Sequence, residues 1–439
     1  MEATPGDPRG TVRFELGNGL RVVLAPRAES PTASAWVWYR VGSKNEWPGV
    51  TGASHWVEHM LFQGSPRYPK GEIDRAIVKV GGSLNAFTDC DFTAYFSTVP
   101  REHLRVPLEI ESDRMTRALL DDAEVERERT VIRSEREGNE NWPEFRAEEE
   151  LYALAFTVHP YRWDTLGLPQ DILALTPEDL RRYYHRFYGT RNAILVLAGG
   201  FDGAKVRSTV ESMFSNLPAS GEDPAVRAVE PPSRAERRSI LRGPGTTPFL
   251  HVGWRAPPVD DPTTPATVLL DVILGGETRL FAAGQVWGRA HDHPSSRLYR
   301  RLVDPGLAVR ATSEWRPRLY PGLLTVHAQA ARNVALSRLE EALDLEIDAL
   351  VRRGPTAREM DEARVKVRRG AELAYEGASR TGFRLGYFST LGRAGLESRL
   401  FRAILSARAS DVHARAREIF RPENRSLVQY LPEGEPHAE

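Results

Sequence analysis

The chain has 439 residues, 41% hydrophobic and 27% charged, with a formal net charge of −1 from 59 basic and 60 acidic residues. That length exceeds what one hydrophobic core serves, so at least two domains are expected, and the charge balance gives no bulk attraction to nucleic acid or an anionic membrane. A single cysteine, Cys90, excludes an internal disulfide framework. With no leader pattern and no apolar run near the roughly 20 residues that span a bilayer, the expectation is a cytoplasmic protein without a membrane span.

Along the chain, TVRFELGNGLRVVL (11–24) reads as two alternating strands around Gly17-Asn18-Gly19, a hairpin signal, and SAWVWYRV (34–41) as a third strand. From Gly52 to about Gln63 the pattern turns helical, and Lys70 to Val80 is a further helix stopped by Gly81-Gly82. SLNAFTDCDFTAYFSTV is rich in β-branched and aromatic residues and reads as two adjacent strands, with Cys90 as a strand cysteine of no redox role. Between Arg101 and Glu137, apolar residues at helical spacing predict two helices broken near Asp121-Asp122. Trp142-Pro143 ends or caps the long helix, the aromatics of RRYYHRFY pack at helical spacing, and AILVLA (193–198) is a buried strand.

The composition then shifts to proline, glycine and charge without periodicity, which marks a linker over 218–239 between an N-terminal half, 1–217, and a C-terminal half, 240–439. The second half repeats the order of the first. FLHVGWRAPPVDD leads into the helical PATVLLDVILGG, then LAVRATSEW, GLLTVHAQAA and LSRLEEALDLEIDALV, while ARVKVRRGAEL sits where ERTVIRSEREG sits in the first half. An old duplication accounts for this. The fold class expected is α+β, two similar halves, each a mainly antiparallel sheet with helices packed on one face.

Only the first half carries ASHWVEHMLF, two histidines and a glutamate inside an apolar run. On a helix His55 and His59, four apart, present both imidazoles to one point, with Glu58 beside the same face. Catalytic zinc takes three protein ligands and a water. A third ligand must therefore come from elsewhere, and Glu58 is free to act on the water as general base. Glu128 and Glu135 in ERTVIRSE are seven apart and share a helix face. The one nearer the metal can ligate while the other orients it or a histidine. The plain alternatives are a buried polar cluster in a core helix and a solvated charge run.

HWVEH fits the inverted zinc motif H-x-x-E-H of the inverzincins. With GASHWVEHMLFQGSPRYP, VGGSLNAFTDCDFTAYFSTVP, ERERTVIRSEREGNENWPE and AFTVHPYRWDTLGLPQDILALTPEDLRRYYHRFY in order, the sequence resembles the pitrilysin/insulinase family of zinc peptidases, in its half-length, mitochondrial processing peptidase-like branch. The likeness continues faintly at PSSRLYRRLVDPGLAV. The resemblance implies a zinc metalloendopeptidase in which His55, His59 and Glu135 bind Zn2+, Glu58 is the catalytic base and Glu128, seven residues before Glu135, supports the site. It also implies an edge strand at Asn85, Ala86 and Phe87 to which a peptide or unfolded protein substrate adds.

Members of that family complete the site with an arginine and a tyrosine. GLLTVHAQAARNV holds no such pair, and Arg316, Arg318 and Tyr320 lie just upstream out of register. A dimer is expected, with a related subunit as the candidate source of the pair. The rival expectations are a non-catalytic scaffold and a subunit that binds peptides without cutting them. His291 and His293, in HDHP, read as a solvated loop rather than a second metal pair.

Overall fold

The computed structural model describes residues 10–277, 280, 293–392 and 394–433. In chain order the elements are β1 (Val12–Glu15), β2 (Arg21–Pro26), β3 (Thr32–Tyr39), α1 (Ala53–Met60), α2 (Glu72–Lys79), β4 (Ser83–Thr88), β5 (Thr93–Pro100), α3 (Arg105–Arg117) and α4 (Asp122–Glu140). There follow α5 (Pro143–Ala155), α6 (Pro169–Ala174), α7 (Pro177–Phe187), β6 (Ala193–Gly199), α8 (Gly203–Phe214), β7 (Arg237–Gly243), β8 (Phe249–Ala256) and α9 (Thr264–Gly275). The remainder is β9 (Ala308–Trp315), β10 (Gly322–Ala330), α10 (Leu336–Arg353), α11 (Ala357–Leu373), α12 (Gly377–Leu391), α13 (Leu396–Ser406), α14 (Ala409–Ile419) and β11 (Arg425–Pro432). Among the described residues no helix is long and apolar enough to cross a membrane.

These elements form two compact α+β units. The first contains the chain up to Glu137, Trp163–Ala228 and Ala374–Gly395; the second contains Gly138–Arg162, Val229–Leu373 and the chain from Leu396. Each half of the sequence thus gives one helical segment to the other unit: α5 belongs to the second and α12 to the first.

The first sheet has the order β1-β2-β6-β3-β5-β4 and the second β7-β11-β8-β10-β9. All neighbours are antiparallel except β2–β6 and β7–β11, one parallel pair in each. Dropping β1, the two sheets have the same connectivity, which is the architectural trace of the repeated sequence order.

In the first unit strand alternation sends Ala35, Val37 and Tyr39 into a core shared with Val57, Met60, Leu108, Leu180 and Tyr184 of the main helical layer. Trp36 and Trp38 point to the opposite face, where α12 lies on β3 and β6. Gly382 and Gly386, one turn apart on α12, let that helix approach: a Cβ at either would overlap the indole of Trp36 or Trp38. Phe87, Phe96, Phe92 and Phe383 close the space, with Trp36 and Phe96 stacked at 4.1 Å between centroids. Cys90 lies in the turn between β4 and β5 rather than in a strand, because Asp89 and Phe92 close that turn by a backbone hydrogen bond.

In the second unit α9 follows β8 as α1 follows β3, and every one of its residues but Pro265 is buried. Its one acidic residue, Asp271, accepts a hydrogen bond from the Ser313 hydroxyl at 2.7 Å. Burial pushes its pKa from 3.8 up to about 8, against the hydrogen bonds from Ser313 and the Trp315 backbone. Folding therefore takes up a proton here: stability is undiminished below the ordinary carboxylate range and falls as pH rises toward about 8. Asp271→Asn is expected to flatten that decline, read as the urea midpoint measured at about pH 5 and about pH 8. An unchanged pH slope in the variant would contradict the assignment.

Candidate metal centre

Helix α1 has no side-chain cap of its own, since its N-cap is Gly52 at φ +87°. The buried carboxylate of Glu46 replaces the cap, accepting from the backbone N–H of Gly52 and of Ser54 at 2.8 Å each. Burial raises Glu46 to about 7 despite those bonds. Asp171 fixes the preceding turn by accepting from the N–H of Gly49 and Thr51 and from the Thr51 hydroxyl. Gly167 sits against Gly52 so closely that a Cβ would meet the Gly52 nitrogen, and its carbonyl accepts from Arg136 at 2.6 Å. At the other end the buried Arg114 donates to the Leu61 carbonyl at 3.3 Å and is itself held by Glu111 at 2.6 and 3.0 Å.

So held, α1 presents His55 and His59 with ring centroids 4.7 Å apart. The Nε2 atoms of both lie 3.6 Å from Oε2 of Glu135 on α4. That separation is too long for a hydrogen bond. It is close to the ~3.3 Å edge of a tetrahedron of ligands about 2.0 Å from a zinc ion. All three donor atoms lie within 4.8 Å of one another, and no other such group of histidine, cysteine or carboxylate donors occurs among the described residues. Two imidazole nitrogens and one carboxylate suit zinc and leave a fourth position open.

Glu128, two turns before Glu135, accepts from His59 Nδ1 at 3.0 Å and from the Gln63 amide at 2.8 Å. A carboxylate at Nδ1 favours the proton there, which leaves Nε2, the nitrogen nearer Glu135, as the one available to a metal. Burial and the neighbouring His59 lower the His55 pKa. Burial also pulls on His59, but the carboxylates of Glu128 and Glu135 outweigh it and raise its pKa.

Glu58 stands apart from this trio. It is 8% exposed, and its Oε2 accepts from the Thr88 hydroxyl at 2.6 Å. Burial lifts its pKa to about 7, with Thr88 and His59 opposing. Thr88 ends β4, which pairs only with β5 and leaves its other edge free of strand partners among the described residues. Asn85 is exposed on β4, Ala86 faces the α1 side, and the Phe87 ring is committed to the aromatic cluster under α12.

Sequence reasoning missed Gln63 and Thr88. Gln63 follows His59 by four residues, a spacing that would have found it; Thr88 comes within reach of Glu58 only through the sheet. In the second unit Arg316 is held by Glu314 at 2.6 Å, and Tyr320 packs on His159 and Tyr161. His291 lies outside the described residues, and His293 meets the Ser295 hydroxyl at 3.0 Å.

Comparison with known proteins gives the same direction. Residues 21–167 match the family described as Insulinase (Peptidase family M16), and residues 174–366 match the Peptidase M16 inactive domain. A Bacillus subtilis protein named uncharacterized zinc protease YmxG is 24% identical over 424 residues, covering 96% of this chain and 98% of its own. A probable mitochondrial-processing peptidase subunit beta of Arabidopsis thaliana is 25% identical over 400 residues, covering 90% of this chain and 74% of its own. Among solved structures, a protease from Helicobacter pylori superposes with a TM-score of 0.88 at 24% identity, over 96% of this chain and 99% of its own.

Glu128→Gln keeps the shape of the side chain but weakens its grip on His59 Nδ1. Zinc affinity measured by competition with a chromophoric chelator is expected to fall about 10–100-fold; an unchanged affinity would remove Glu128 from the site.

Proposed function

Because this chain belongs to the insulinase family, peptidase family M16, we propose that it is a zinc-dependent endopeptidase of the inverzincin type, or the zinc-bearing subunit of one, that hydrolyses peptides or unfolded segments. The observation that carries the reading is the convergence of His55, His59 and Glu135 beside a carboxylate, Glu58, that is not part of the trio. When bound, zinc supplies a Lewis acid that polarises the scissile carbonyl and acidifies water.

The residues of the chain do the rest. His55, His59 and Glu135 hold the ion, and Glu128 keeps His59 in the ligating tautomer. Glu58, steadied by the Thr88 hydroxyl, takes a proton from the attacking water and returns it to the leaving amine. The free edge of β4 accepts an extended substrate as an added strand along Asn85, Ala86 and Phe87, which favours unfolded segments because backbone pairing needs an extended chain. Since the Phe87 ring is packed inside, that position contributes its backbone.

Glu58→Gln is expected to lower hydrolysis of an unfolded peptide by about 10²–10⁴-fold while zinc stays bound. New termini are read by mass spectrometry and zinc by elemental analysis. A variant that cleaves at the wild-type rate would end the assigned role.

Arg316 and Tyr320 are engaged within the second unit, and the proposal includes a dimer in which a related partner supplies an arginine–tyrosine pair. Activity is expected in the fraction with the mass of two chains; activity confined to the single-chain fraction would rule the partner out.

A further inference from the structure

The two units share a sheet architecture, yet they fill the same place differently. In the first, the face of the sheet beneath α12 is closed by Trp36, Trp38, Phe87, Phe96 and Phe383. In the second, α5 takes the corresponding position on β7, β11 and β8. Leu151 of α5 reaches Gly253, so the residues of β8 in phase with Gly253 face that helix. One of them is His251.

The register places His251 of β8 directly opposite His327 of β10, with ring centroids 5.7 Å apart. Both line a cavity of about 110 Å³ that also receives Glu144 and Glu148 from α5 and Glu314 from β9. Three carboxylates there meet two guanidinium groups, Arg310 and Arg316, which leaves the lining one negative charge in excess with the imidazoles neutral. His251 is 8% exposed, and its Nδ1 is buried without a hydrogen-bond partner. A buried ring nitrogen without a partner is costly, and on a face whose counterpart is sealed by aromatic side chains, Phe249 stacks on Tyr430 but leaves a polar cavity beside it.

We propose that this cleft is a second metal site of the chain, in which the imidazoles of His251 and His327 take a divalent first-row transition-metal ion. The donors of this cleft are not gathered as those of the His55–His59–Glu135 trio are, but opposed residues on adjacent antiparallel strands have Cβ atoms about 4.5–5.5 Å apart, close enough for two imidazoles to share one ion by side-chain rotation. Imidazole nitrogen selects zinc, copper or nickel over calcium and magnesium. The volume suits an ion with a few waters and falls below the roughly 300 Å³ at which pockets for organic ligands begin. Glu314 is held by Arg316, whereas Glu148 lies at 3.9 Å from the same guanidinium and is the carboxylate freer to turn toward the ion.

The site is independent of the His55–His59–Glu135 trio, and metal stoichiometry separates the two. Stripped protein is titrated with Zn2+ by equilibrium dialysis as wild type, as His55→Asn with His59→Asn, and as His251→Asn with His327→Asn. Wild type is expected to take two equivalents and each double variant one. Glu148→Gln, on the helix side of the cleft, is expected to weaken the second equivalent by at least about tenfold and leave the first unchanged. One equivalent in wild type that is lost only with His55 and His59 overturns the proposal, as does a second equivalent that survives in the His251/His327 variant with its fold intact by circular dichroism. Loss of zinc binding at the His55/His59 pair alone would bear on the peptidase reading and leave this one standing.

Discussion

The site depends on holding one two-turn helix still. A helix as short as α1 is marginal by itself, because nucleation costs more than so few backbone bonds return. The protein fixes it at its two ends by hydrogen bonds: the Glu46 carboxyl accepts from the free N–H groups of Gly52 and Ser54, and the Arg114 guanidinium donates to the Leu61 carbonyl. Arg136 adds the third constraint. It neighbours Glu135 in sequence and bonds the Gly167 carbonyl, which abuts Gly52, so the turn that presents the third donor is tied to the start of the helix that presents the first two.

Much of this was readable without coordinates, because the signals were local. His55 and His59 share a face by helix periodicity alone, and Glu128 and Glu135 share theirs by the same rule. The hairpin at Gly17-Asn18-Gly19, the stop at Gly81 and the break at Asp121-Asp122 rest on turn chemistry that acts within a few residues. What could not be read is partner choice. The pattern of α12 shows an apolar face but not the sheet it covers; Gly382 and Gly386 acquire meaning only once Trp36 and Trp38 are known to lie beneath them. The exchange of α5 and α12 between units is therefore invisible in sequence, and so is the contact of Thr88 with Glu58.

The repeated architecture shows how one of two similar units comes to gather the candidate metal donors. Where α1 offers three ionisable side chains, α9 is buried apart from Pro265 and retains a single carboxyl, Asp271, which burial holds protonated and Ser313 ties down. A carboxyl in that state can neither ligate nor take a proton. The polarity lost from that helix reappears on the other face of the second sheet, where His251 and His327 oppose each other under α5. The duplication preserved the strand order while the two faces diverged separately, since residues of alternate parity along a strand belong to different cores.

The order of residues in H-x-x-E-H also has a physical reason here. Glu58, three residues after His55, is not one of the three converging donors, and the neighbouring β4 supplies Thr88 to hold it. Were it turned to join His55 and His59, it would compete with Glu135, whose two-turn partner Glu128 already fixes His59 from the other side. Thr88 ends the strand whose free edge is proposed to receive substrate. The backbone proposed to receive a peptide and the hydroxyl that orients the proposed base are thus six consecutive residues of one strand, Ser83 to Thr88. The register Phe87↔Ala94 and Thr88↔Thr93 fixes both the free edge of β4 and the Thr88 hydroxyl, so any displacement of β4 along the sheet moves them together.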